Sequence, residues 1–261
     1  MPIDFHNAAN AKTYASRHTH PDWFETVQSM LAGRRPGVVA DVGCGGGIYS
    51  RAWRELGAHQ VIGIDSSTQM IEDAQNATDD TGIRFSVADA YETGLEADIC
   101  DIVFSRAVIH HLDDLEAAIA ESYRVLKPGG LLIVQDRTIE DVLQPASPEH
   151  FRAMFFTAFP RLVATERRRR PETNAFTHIL EVTGFDAPAT ITFWETRRTY
   201  QTDEELRSDL LARTGRSILH QLNDTELQSL TETILEASAG HFPLKERDRW
   251  TIWTATKPVG S

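Results

Sequence analysis

One segment restricts what this chain can fold into more than any other. It runs Val38-Val39-Ala40-Asp41-Val42, then Gly43-Cys44-Gly45-Gly46-Gly47, then a helix-compatible stretch from Ile48 to Leu56. A short apolar run stopped by glycines reads as a buried parallel strand. The glycines allow positive φ and let a ligand reach main-chain atoms with no Cβ in the way. A strand–loop–helix of this kind suits a nucleotide-like guest. The dinucleotide fingerprint G-x-G-x-x-G wants its third glycine where Ile48 stands, and a phosphate loop ends in Gly-Lys-Ser/Thr, which this loop does not. Neither phosphate motif is satisfied.

Beyond the loop, apolar strands alternate with amphipathic helices, which predicts an α/β protein with a doubly wound, mostly parallel sheet. The expected strands are 38–42, 60–65, 83–88, 99–105 and 130–135, with helices over 48–56, 67–76 and 113–126. Two later β-rich segments, 190–199 and 250–257, bring the sheet to seven strands, the last antiparallel. Helices are expected near 203–213 and 224–239. This predicts N-terminal lid helices over 1–34, one or two in number, and a core over 35–261. Within the core, 137–184 and about 202–244 are insertions that shape an acceptor site. The second is long for a strand connection and suggests a cap or a homodimer surface.

Open α/β sheets bind ligands at the carboxyl ends of their strands, and polar residues stand at those ends here. Strand two ends in Asp65, whose carboxylate suits both hydroxyls of a ribose. Strand three leads into Asp89-Ala90, where an acid can accept the amine of adenine. Strand four ends in Ser105-Arg106 and is followed by Val108-Ile109-His110-His111-Leu112; Arg124-Val125-Leu126-Lys127-Pro128-Gly129-Gly130 precedes strand five. In this order and spacing, Asp41-x-Gly43-x-Gly45-x-Gly47 and these strand ends resemble the class I S-adenosylmethionine-dependent methyltransferases of the methyltransferase type 11 (UbiE-like) group, over about residues 35–137. The resemblance implies a Rossmann-like methyltransferase fold and S-adenosylmethionine as cofactor, with S-adenosylhomocysteine as product. It implies that Asp41, Gly43, Cys44 and Gly45 serve the methionine part, Asp65 and Ser66 the ribose, and Asp89 and Ala90 the adenine. Ser105 and Arg106 would line the sulfonium side, and Tyr14 and Arg17 of the N-terminal helix would close over the cofactor. Methyl transfer is mainly alignment, so the side chains needed are few. An acceptor that must lose a proton also needs a base, and His110 and His111 stand beside the expected methyl position.

Several of these features also admit plainer readings. Asp65 could cap the next helix and Asp89 could close an Asx turn. One of the two histidines could only tie strand to helix. Arg167-Arg168-Arg169-Arg170 reads as a solvated helix face, and Phe151, Phe155, Phe156 and Phe159 either pack one helix face or roof an acceptor pocket. The net charge of −12 argues against nucleic acid as a partner. No His/Asp/Glu cluster has metal-site spacing, so no metal is expected. Two cysteines give no disulfide framework, and no apolar run reaches membrane-spanning length, so the expectation is a cytoplasmic enzyme acting on a small molecule away from membranes. Two other functions fit parts of the pattern: an NAD(P)-dependent oxidoreductase, because Asp65 also suits an NAD ribose, and a non-catalytic S-adenosylmethionine-binding module.

Overall fold

The structure is a computed structural model and describes residues 19–260. Tyr14, Arg17 and the first part of the expected N-terminal helices lie outside the described residues. The chain forms two compact units. Of the described residues, the larger carries 19–136, 172–192 and 251–260, and the smaller carries 137–171 and 193–250.

The larger unit holds α1 (Pro21–Leu31), β1 (Val38–Val42), α2 (Ile48–Glu55), β2 (Gln60–Asp65), α3 (Thr68–Asn76), β3 (Ile83–Val87), β4 (Cys100–Arg106), α4 (Leu115–Val125) and β5 (Leu126–Asp136). Strands β1 and β2 have the expected bounds because each is an apolar run with a sharp polar or glycine stop. Helix α4 begins at Leu115, two residues later than expected, because Asp114 rather than Asp113 is its cap: Asp114 Oδ1 accepts from Ala117 N at 2.9 Å. The expected break at Lys127–Gly130 lies inside β5 and not before it. The strand starts at Leu126, and its register against β4 shifts between Cys100 and Ile102 to absorb that segment.

Five more helices follow: α5 (Ile139–Val142), α6 (Arg152–Ala158), α7 (Arg161–Arg169), α8 (Thr173–Thr183) and, after β6 (Asp186–Tyr200), α9 (Asp203–Leu211). Helix α10 (Asp224–Ser238) and β7 (Leu244–Thr256) complete the described chain. The sheet has seven strands in the order β3-β2-β1-β4-β5-β7-β6. β1 pairs in parallel with β2 and β4, β2 with β3, and β4 with β5, while β7 runs antiparallel to β5 from Leu131↔Thr256 to Asp136↔Thr251.

Each unit has its own core. In the larger, Val42, Ile64, Val103, Leu132, Phe176, Leu180 and Trp253 bury one side of the sheet. On the other side, Trp23, Trp53 and Phe104 pack as mutual edge-to-face pairs with centroids 5.5–5.8 Å apart. In the smaller, Phe151, Phe155 and Phe156 are buried with Leu206, Leu210, Ile218, Leu230 and Ile234. The phenylalanine row is therefore packing. Of the arginine run, Arg167 and Arg168 are exposed, but Arg169 and Arg170 turn inward and both bind the carboxylate of Glu166, which is fully buried. The run is a solvated face only at its first two positions, because positions i+3 and i+4 from a buried glutamate share its side of the helix.

Candidate functional site

Because β1 pairs with β2 on one side and β4 on the other, the connections diverge between β1 and β4, and a crevice opens at their carboxyl ends. The loop after β1 faces it. Gly43 N and Cys44 N both donate to Ile64 O, at 2.7 and 3.0 Å, which ties the loop to the end of β2. Gly43 is at φ +76°, and a Cβ there would come 2.1 Å from Val108 Cγ2, so the protein itself excludes a side chain. Gly45 is at φ +52°, and a Cβ there would meet nothing within 4 Å. The loop thus presents open main chain at Gly45, where a ligand can approach. Cys44 is buried with its thiol against Gly63, and burial raises its pKa well above that of an ordinary thiol.

The carboxylate of Asp65 is fixed by main chain. Its Oδ2 accepts from Gly45 N and its Oδ1 from Ser67 N, both at 2.9 Å. Capping of α3 falls to Ser67, whose Oγ accepts from Met70 N at 3.4 Å, so Asp65 is not the helix cap. Ser66 is exposed beside it. Asp41, two residues before the loop, is buried. Its Oδ2 accepts from Ser50 Oγ of α2 at 2.6 Å, and burial pushes its pKa up to about 7, with Asp65 adding to the rise and Ser50 opposing it.

Beyond β3, Asp89 is exposed and Oδ1 accepts from Tyr91 N and Glu92 N at 2.8 Å each, an Asx turn that shapes the loop starting at Ala90. At the end of β4, Ser105 is buried and the Arg106 guanidinium lies 4.4 Å from the centre of the Tyr49 ring. Ala107 follows at φ +58°, and a 3₁₀ turn over Ile109–His111 sets the two histidines apart. His110 is buried and His111 exposed, with ring centres 4.0 Å apart. His110 Nδ1 lies 2.9 and 2.8 Å from the two oxygens of Asp136, the last residue of β5, and its backbone N donates to the same carboxylate at 3.4 Å. A ring whose Nδ1–H is given to a carboxylate has Nε2 as its accepting nitrogen, the tautomer a base requires.

Asp136 carries the same sequence signal as Asp65, a polar residue ending an apolar strand, and lies one residue past the strand expected over 130–135. Its neighbour Gln135 accepts from Trp23 Nε1 at 3.1 Å, which anchors α1 to the same sheet end. Asp41, Gly43, Cys44, Gly45, Asp65, Ser66, Asp89, Ala90, Ser105, Arg106, His110 and His111 thus all stand at or just past the carboxyl ends of β1 to β4. Among the described residues no group of three or more His, Cys, Asp or Glu could hold a metal ion, and no helix is long and apolar enough to cross a membrane.

Residues 40–134 match the family model described as a methyltransferase domain, methyltransferase type 11. Among curated proteins, a malonyl-[acyl-carrier protein] O-methyltransferase of Salmonella typhimurium is 31% identical over 125 residues, 48% of this chain and 48% of that protein. A mitochondrial ubiquinone biosynthesis O-methyltransferase of Rattus norvegicus is 38% identical over 37% of this chain and 29% of its own length. The chain thus matches about half, or less, of these relatives' length. Among solved structures, a putative methyltransferase from an antibiotic biosynthesis pathway of Anabaena variabilis aligns with TM-score 0.71 at 18% identity, over 91% of this chain and 98% of that one. A phosphoethanolamine N-methyltransferase of Haemonchus contortus, solved with S-adenosylhomocysteine, aligns with TM-score 0.62 at 22% identity, over 96% of this chain and 56% of that one. At these identities the structural likeness establishes the fold.

Proposed function

We propose, from a core segment that matches a methyltransferase domain, that this chain transfers a methyl group from S-adenosylmethionine to a small-molecule acceptor. The observation that carries the reading is the pairing of Asp65 with Gly45 N: a carboxylate held by main chain beside a loop whose outer face is open. That arrangement fits an adenosyl ligand without phosphate. Asp65 with Ser66 would hold the ribose, Asp89 and Ala90 the adenine, and Asp41, Gly43, Cys44 and Gly45 the methionine part. Bound, the cofactor supplies an electrophilic methyl on a sulfonium. The remaining work is alignment and proton removal by the chain's own residues. Ser105 and Arg106 would border the transfer position, and Tyr14 and Arg17 remain proposed lid residues.

His110, held by both oxygens of the Asp136 carboxylate, is the proposed base that takes the acceptor's proton at Nε2; His111 is exposed beside it. Relatives named O-methyltransferases favour an oxygen acceptor. Positioning of acceptor and methyl is worth roughly 7–11 kcal/mol of barrier by effective molarity, and a base adds about 10²–10⁴-fold.

Thermal unfolding with S-adenosylmethionine, S-adenosylhomocysteine and NAD added separately tests the cofactor assignment. A ligand at 100 times its Kd adds about 2.7 kcal/mol, a rise of several degrees in midpoint. The adenosyl-sulfur ligands are expected to stabilise the protein and NAD to leave it unchanged, and Asp65→Ala to abolish the shift. Stabilisation by NAD alone would replace this reading with the oxidoreductase one.

A further inference from the structure

Asp41 is a buried carboxyl of the larger unit with, among the described residues, a single hydrogen-bond donor. Its side chain leaves the sheet on the face covered by α2, flanked across the strands by Gly63 of β2 and Phe104 of β4. It is 2% exposed. Among the described residues its carboxyl accepts one hydrogen bond, from Ser50 Oγ, and meets no cation at ion-pair distance. The charged and titratable groups facing it are Asp65 at the end of β2, Arg106 at the end of β4 and the thiol of Cys44 in the loop. Arg106 is the one cation among them; its guanidinium rests on the Tyr49 ring, and its charge is the smallest of the influences on Asp41. A buried carboxylate compensated by a single hydroxyl, with a second acid nearby, is unfavourable, and such a group takes up a proton instead. The site nonetheless lies next to a loop open to a ligand, and an arriving cation reverses the balance.

We propose that binding of the cofactor expels a proton from Asp41 to solvent, so that the site exchanges that proton for one positive charge on the ligand. The inference rests on the cofactor reading above. The charge exchanged is that of the α-ammonium, present in S-adenosylmethionine and S-adenosylhomocysteine alike, or of the sulfonium, present only in the former. A sulfonium-linked exchange would return the proton to Asp41 once the methyl has left.

The burial that raises the Asp41 pKa to about 7 sets the scale of the effect. If the carboxylate is the binding form, affinity rises roughly fifteenfold from pH 5.5 to 7, below the range in which the ligand's amino group titrates. Calorimetric titration of the full chain with each ligand, in two buffers of different ionisation enthalpy, reads proton release directly and is expected to give about half a proton per site at pH 7. Release with both ligands assigns the ammonium, and release with S-adenosylmethionine alone assigns the sulfonium. Asp41→Asn is expected to bind with no release at this site and a correspondingly flatter pH dependence. Should that variant not bind, Ser50→Ala serves, because losing the hydroxyl donor must move the midpoint of the affinity curve to higher pH. An infrared band of a protonated carboxyl in the free protein, lost on ligand addition and absent from Asp41→Asn, is the matching spectroscopic signature. Binding with the same proton release in wild type and Asp41→Asn, or an unmoved midpoint in Ser50→Ala, overturns the inference alone. No binding of either ligand at any pH overturns the cofactor reading and the inference with it.

Discussion

Ala107 is held at φ +58° between the end of β4 and the histidine turn, a conformation that costs a residue with a Cβ about 1 kcal/mol. Its backbone N donates to Gln135 O at 2.9 Å, so the chain cannot relax there without leaving the sheet. Ala107→Gly is expected to raise stability by about 0.5–1 kcal/mol in urea unfolding. A companion residue-scale expectation concerns Asp136. Replacing it by Asn leaves the shape but removes the charge that holds Nδ1–H, and kcat is expected to fall about 10²-fold with little change in the KM for the cofactor. Unchanged kcat in steady-state assays would remove His110 from the role of base. Asp65 was legible in the sequence because its partners, Gly45 and Ser67, belong to the loop and turn that identified it. Asp136 was not, because its contact with His110 spans 26 residues and exists only once β4 and β5 are in register.

At the scale of elements, two glycines of one loop answer to different demands. Gly43 is confined by Val108, so Gly43→Ala combines a strained φ with an overlap and is expected to cost at least about 2 kcal/mol of stability. Gly45 faces open space, so Gly45→Ala is expected to lose no more than about 1 kcal/mol in the same unfolding assay while weakening S-adenosylmethionine binding by calorimetry. Equal effects of the two substitutions on stability would mean the loop's outer face is packed rather than open. Strands β1 and β2 could be bounded from sequence because glycine and aspartate end them abruptly. The start of β5 could not, since Pro128, Gly129 and Gly130 look like a break and are instead taken up by a register shift against β4.

For the molecule as a whole, pH dependence carries two opposing contributions. Glu166 in the smaller unit is fully buried, and the guanidinium groups of Arg170 and Arg169 outweigh burial and hold its carboxyl down to about 2. A depressed carboxyl stabilises the fold above its unfolded pKa near 4.5 and loses that contribution as pH falls toward 2, an amount of roughly 3 kcal/mol. Asp41 has the opposite sign. Its raised pKa means the folded state binds the proton more tightly, so its contribution falls as pH rises from about 4 to 7. Urea midpoints across pH 2–8 are expected to show Glu166→Gln losing less stability than wild type below pH 4.5, and Asp41→Asn losing less between pH 4 and 7. Parallel curves for wild type and either variant would contradict that group's assignment. What the sequence determined by itself is local: strand–loop–helix punctuation, period and stop residues set the sheet, the glycine loop and the acids at its strand ends, because those signals lie within a few residues of one another. Tertiary structure alone decided which charges meet. The inward turn of Arg169 and Arg170, the His110–Asp136 pair and the confinement of Asp41 all depend on burial and on strand register, which no single stretch of chain encodes.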